Sequence, residues 1–152
     1  YTFDAVNAFR TGLEASLTTS RGGWSASADG SLLGQWDVAT GLGLPFTTPA
    51  QVNATIGRSL RENHHLTVSC RGIADATLTA RNEAPTEGVL LWGLGWSLAR
   101  NAGTWSINLH NASNTAWLDH TSAYRALGLA AQGRWMQISF TTSVKRSKKN
   151  KQ

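Results

Sequence analysis

A strict two-residue alternation runs through seven separate segments of this chain, and that period leaves few folds open. Over 9–18 the odd positions are mostly apolar and the even ones small or polar. Trp24, Ala26, Ala28, Gly30, Leu32, Gly34 and Trp36 then alternate with Ser25, Ser27, Asp29, Ser31, Leu33 and Gln35. Val52, Ala54, Ile56 and Leu60 form a third set, and 66–78, 90–98, 105–110 and 136–142 repeat the pattern. Successive side chains of an extended strand point to opposite faces, so apolar residues two apart line one face of a sheet. No segment reads as a helix.

The connections sharpen the reading. Ser20-Arg21-Gly22-Gly23, Glu62-Asn63-His64-His65 and Arg100-Asn101-Ala102-Gly103 are short, whereas 37–51, 81–88 and 112–133 are long. Short and long alternate along the chain, as in a transmembrane β-barrel with tight periplasmic turns and longer extracellular loops. A soluble sandwich has no reason to alternate in this way. The polar faces carry Ser, Thr, Asn, Gln and Gly rather than the Lys and Glu of a water-facing sheet, which suits a crowded lumen. The apolar faces carry Leu, Ala, Val, Ile and Gly, which suits lipid.

Tryptophan supplies a ruler. Trp24 and Trp36 share a face, and their separation in extended chain is about 40 Å, or about 28 Å along the normal at a ~45° tilt. That matches an apolar band of ~25 Å with aromatic girdles at both rims. The expected girdle is Trp24, Trp36, Trp92, Trp96, Trp105 and Trp135. The fold expected is therefore all-β, an antiparallel transmembrane β-barrel segment of about seven strands. Barrels of this class close with even strand counts from 8 upward, and an open sheet edge in lipid leaves N–H and C=O groups unpaired. Further strands must come from another chain or a missing segment, unless 1–8 supplies an eighth.

The charge balance excludes other classes. There are 14 Lys plus Arg against 9 Asp plus Glu, a formal +5. Lys145, Arg146, Lys148, Lys149 and Lys151 all lie in the last stretch, and 1–144 holds as many Arg as acids and no Lys. The basic character belongs to a tail over 145–152, so a nucleic-acid-binding domain is not expected. The tail is expected on the periplasmic side, facing an acidic partner, anionic headgroups or nothing. The single Cys70 excludes a disulfide framework and a thiolate zinc site, and on the lipid face it acts as a small apolar group. No run approaches ~18 apolar residues, so no transmembrane helix is expected. Tyr1, with no charged-then-apolar leader before it, reads as a processed or internal start.

Several polar residues invite sharper stories. Arg10, Glu14, Asp29, Arg71 and Asp75 fall in the lumenal register and are expected to form a salt-bridge ladder there, with His110 as a hydrogen-bonding lining residue near the outer rim. His64 and His65 are adjacent, point to opposite faces and do not suit one metal. Asp119, His120 and Ser122 resemble a hydrolase triad in composition, but nothing in their spacing orients them. Neither a catalytic site nor a metal or other cofactor is expected.

Six short motifs then occur in order. They are Gly12-Leu13-Glu14, Leu44-Pro45-Phe46-Thr47-Thr48-Pro49, Arg81-Asn82-Glu83-Ala84-Pro85-Thr86-Glu87-Gly88, Asn108-Leu109-His110-Asn111, Leu118-Asp119-His120-Thr121-Ser122-Ala123-Tyr124-Arg125 and Gln132-Gly133-Arg134. In these the chain resembles the C-terminal third of a TonB-dependent outer-membrane receptor barrel. The resemblance implies a barrel of about 22 strands, of which this chain supplies the last seven. It implies location in a bacterial outer membrane and contact with the lipid bilayer. It also implies energy-coupled uptake of a scarce solute such as a siderophore, a cobalamin or a glycan. Ligand contact is expected from the three long loops, through Trp36, Asp37, Phe46, Asn82, Glu83, Trp117, Asp119, His120, Tyr124 and Arg125. The sequence has neither the family's plug nor its TonB box, and Val89 stands where the loop motif has an aromatic. The implied partner is another outer-membrane chain that supplies the remaining strands and a plug. Two alternatives stand beside this reading: a non-transporting structural subunit of an outer-membrane complex, and a small self-closed eight-stranded barrel.

Overall fold

A computed structural model describes residues 6–60 and 63–142. It contains seven strands: β1 (Ala8–Arg21), β2 (Trp24–Asp37), β3 (Gln51–Leu60), β4 (His64–Ile73), β5 (Val89–Arg100), β6 (Gly103–His110) and β7 (Trp135–Thr141). All pair antiparallel with their sequence neighbours, in the spatial order β1 to β7, to make one up-and-down sheet. No second sheet packs on either face among the described residues, and Ala76 is the one buried hydrophobic among them.

The alternation read from the sequence is the organising fact of the sheet. In an antiparallel pair, directly opposed residues share a face. Leu13↔Leu32, Ala28↔Ala54, Ile56↔Val68, Val68↔Leu94, Trp96↔Ile107 and Ile107↔Ile138 therefore carry one apolar face from strand to strand. Glu14↔Ser31, Asp29↔Asn53, Thr55↔Ser69, Gly95↔Asn108 and Ser106↔Ser139 carry the polar face in the same register. A one-residue slip anywhere would exchange the two faces. The apolar face stays uncovered: Leu13 is 69% exposed, Leu17 70% and Ile138 59%. Apolar area of this extent on a monomer marks a contact surface or lipid.

The tight end of the sheet follows from turn chemistry. Arg21 pairs with Trp24, leaving Gly22 (φ 57°) and Gly23 (φ 80°) as a two-residue turn. Both positions need positive φ, which glycine adopts without a Cβ clash. Arg100 likewise pairs with Gly103 across Asn101-Ala102.

Four expectations change. β4 ends at Ile73 and not at 78: Ala74 still donates to Ala50, but Ala76 then bridges to Thr86 and the chain leaves the sheet. The alternation over 74–78 is real in the sequence, yet those residues have no neighbouring strand to extend. A short 3₁₀ helix, η1 (Ala123–Leu127), occupies the third long loop, where no helix is expected. It is too short for a helical period to show; Ser122 caps it, accepting from the Tyr124 N–H, and Gly128 ends it at φ 69°. Ala8 opens β1 rather than ending a separate strand, and the Asn7 carbonyl accepts from Val38; the rest of the candidate eighth strand, over 1–5, lies outside the described residues. Finally, Trp135 sits opposite His110 on the polar face and leaves the girdle set. The tail over 145–152 and residues 1–5 lie outside the described residues.

Candidate functional site

The three long loops gather at one end of the sheet, and a single carboxylate joins them. Glu83 comes from the second loop, where its Oε2 accepts the Ala80 N–H at 2.8 Å. Its Oε1 accepts the Phe46 N–H of the first loop at 3.0 Å. From the third loop, Arg125 forms an ion pair with Glu83 through Nη2 and donates Nη1 to the Ala84 carbonyl at 3.1 Å. The Arg125 guanidinium also lies over the Phe46 ring, 5.5 Å from its centre. His120 stands on the other side, with Nε2 3.7 Å from Glu83 Oε1 and Nδ1 3.1 Å from Thr86 Oγ1.

The cluster is nearly dry. His120 is 3% exposed, and the side chains of Glu83 and Arg125 are 8% and 9% exposed. Burial alone pushes the Glu83 carboxyl upward, but the Ala80 and Phe46 N–H donors and the charges of Arg125 and His120 outweigh it, so its pKa falls below the usual value. Burial and the Arg125 charge push the His120 pKa down, against the opposing pull of Glu83 and Asp119. Glu83 is thus held ionised and His120 held neutral.

The residues expected to touch ligand therefore divide. Phe46, Glu83, His120 and Arg125 come together and bind one another. Asp37 closes its own turn, accepting from the Ala39 N–H and the Thr40 hydroxyl. Asp119 does the same with Thr121, and Ser122 serves as the helix cap, so these two do not align with His120 as a triad. Asn82 adopts φ 65° in the second loop. Trp36 faces the apolar side with Phe9, ring centres 5.1 Å apart. Tyr124 is 68% exposed, and Trp117 is half-buried above the polar face.

The polar face of the strands holds the lining residues, but not as a salt-bridge ladder. Both ion pairs found among the described residues involve Glu83. Asp29 instead accepts from Asn53 at 2.8 Å, and Arg71 donates to Gln51 at 3.0 Å. Asp75 lies past the end of β4 and accepts the Gly88 N–H at 2.6 Å. Arg10 and Glu14 stay on the polar face of β1, which has no partner on its outer edge among the described residues. His110 stacks on Trp135, ring centres 4.1 Å apart at 13°.

On the apolar face the aromatics sort to the two ends. Trp36 and Phe9 lie at the long-loop end, with Trp92 opposite Cys70 two pairs in from Leu90↔Gly72. Trp24, Trp96 and Trp105 lie toward the tight turns, where Arg58 covers the Trp24 ring at 4.5 Å and Trp105 packs on Phe140. The Trp96 indole donates to His64 at 3.2 Å.

Among solved structures, the sheet superposes on one described as the copper transporter OprC with a TM-score of 0.79 at 15% identity. The match covers 89% of this chain and 24% of that one. The chain has the fold of an outer-membrane barrel wall. It spans about a quarter of the structure it matches. No family model matches the sequence, and no curated protein matches it.

Sequence reasoning missed Thr86 and Asn111 as site residues. Asn111 is 6% exposed at φ 47° and ties the third loop down, donating to Thr115 O and accepting the Thr115 N–H, each at 2.9 Å. Both residues stand inside the short motifs, so the motifs marked loop anchors as well as loop tips.

Proposed function

We propose that this chain is a wall segment of a receptor-like outer-membrane transporter, contributing lumen lining and three external loops. The observation that carries the reading is the two-faced open sheet. Its apolar face is continuous, uncovered and edged by aromatics at both ends, while its polar face holds the hydrogen-bonding side chains. The seven strands of the described residues leave two free edges and do not by themselves make a pore-lining barrel, because unpaired backbone in lipid is strongly unfavourable. Additional strands and a plug, on this polypeptide or another, complete it. The cargo is a scarce solute of the siderophore, cobalamin or glycan type, in keeping with the TonB-dependent resemblance.

A second reading is favoured by the Glu83 cluster. Loops tied together by one buried carboxylate serve as a rigid cap, which suits a non-transporting structural subunit of an outer-membrane complex. Isolation from membranes in mild detergent, without boiling, separates these readings. Co-migration with a stoichiometric plug-bearing barrel piece supports the wall of a transporter. Co-migration with plug-free partners supports the structural role. A chain that migrates alone as a heat-modifiable barrel overturns both.

A further inference from the structure

Beneath the third loop, on the polar face of β3–β7, lies a cavity of about 360 Å³. That is the lower range of small-molecule sites. Its floor stays open at Gly93, where a Cβ would collide with the Ser69 hydroxyl. One wall is the stacked His110–Trp135 pair, and Trp117 descends from the loop. Arg71 is the formal charge on its lining, and no Asp or Glu joins it there.

Two nitrogens distinguish this cavity. His110 Nε2 and Trp117 Nε1 are both buried and both lack a hydrogen-bond partner. An indole N–H is a donor only, so burying it unpaired is unfavourable unless an acceptor arrives. Arg71 gives one guanidinium nitrogen to Gln51 and keeps further N–H groups free. The cavity thus combines flat aromatic walls with an excess of donors and a positive charge.

We propose that it binds a small aromatic carboxylate, with the ring against the Trp135–His110 stack and the carboxylate on Arg71 and the Trp117 N–H. Aromatic rings pair by offset stacking, and guanidinium–carboxylate contacts are charge-assisted. The proposal rests on the polar face being the lumen side, because a solute must reach it from water.

The test is calorimetric titration of the full chain in detergent micelles with 2-naphthoate, against 2-naphthamide and against protein-free micelles. Saturable binding of the carboxylate, well above that of the neutral amide, is expected. Arg71→Gln weakens it by roughly tenfold or more, the scale of one lost charge-assisted bond. Trp117→Phe keeps a ring and removes only the N–H, and weakens it by roughly fivefold. Arg134→Gln removes the same charge outside the cavity lining and leaves the affinity unchanged. No saturable binding by the unaltered chain, or equal loss in Arg71→Gln and Arg134→Gln, overturns the proposal. Failure here together with an intact, partner-bound wall removes the pocket alone and leaves the proposed function standing.

Discussion

The strand wall and the loop cap of this molecule are built by opposite rules. In the wall, backbone ladders do the joining and side chains stay exposed or half-buried on both faces; β1 is exposed along its whole length. In the cap, side chains do the joining, and the buried polar residues Thr47, Thr86, Asn111 and His120 all lie in loops. The difference teaches where each part draws stability. On the proposed function, the wall depends on its surroundings, lipid on one side and further strands at the edges. The cap carries its own polar core.

That contrast breaks most severely at Glu83. Glu83→Ala strands Arg125 and His120 and leaves two backbone donors without their acceptor. Removing one partner of a buried ion pair typically costs about 3–5 kcal/mol. The expected outcome is rapid tryptic cleavage at Arg81 and Arg125, with the strand content by circular dichroism unchanged. Loss of the strands together with the loops would show that wall and cap form one cooperative unit.

The wall gives the next largest effect, and it is face-dependent. Ile138 and Gln137 are neighbours on β7, opposite Ile107 and Asn108 respectively. Ile138→Arg places a charge on the apolar face and is expected to cost about 2–4 kcal/mol near the bilayer midplane. Gln137→Arg on the polar face should cost less than about 1 kcal/mol. Urea unfolding of both variants in lipid vesicles reads the gap. Equal costs would mean that the apolar face does not meet lipid.

The same asymmetry explains what was legible in the sequence. The wall was, because a two-residue period is a local property: all seven strands follow from it, and the short connections, Gly22-Gly23 among them, add the antiparallel order. It misled where the period outlasted the pairing, over 74–78, and at Trp135, where residue type was taken ahead of register. The cap was legible only as motifs. Glu83, His120 and Arg125 could be singled out, but not that they meet, because 37 residues separate Phe46 from Glu83 and 42 separate Glu83 from Arg125. Register fixes contacts between paired strands, and no such rule fixes contacts between loops.

Acid should loosen the cap before the wall. The His120 pKa is depressed in the folded protein, so the unfolded chain takes up a proton first as pH falls below about 6.5. Stability present above that pH is lost down to the folded pKa. The Glu83 pKa is also depressed, and its contribution is lost from about 4.5 downward. Protease resistance of the loops should therefore fall in two steps between neutral and acid pH, and His120→Gln should remove the upper step only. A single step at carboxylate pH would place His120 outside the cap's energetics.

The smallest effect tests the short helix that the sequence did not show. Ser122 accepts the Tyr124 N–H at 3.2 Å, the one side-chain cap of η1. A helix this short has little cooperativity of its own, so the cap and Gly128 hold it in place. Ser122→Ala is expected to cost about 0.5–1 kcal/mol, at the low end for capping residues because the site is exposed. Amide exchange at Arg125 and Gly128 should quicken while exchange in β5 and β6 stays unchanged. Arg125 is the residue η1 delivers to Glu83, so a larger loss would mean that the helix sets the geometry of the whole clamp. A loss confined to η1 would mean that the Arg125–Glu83 pair orients the helix instead.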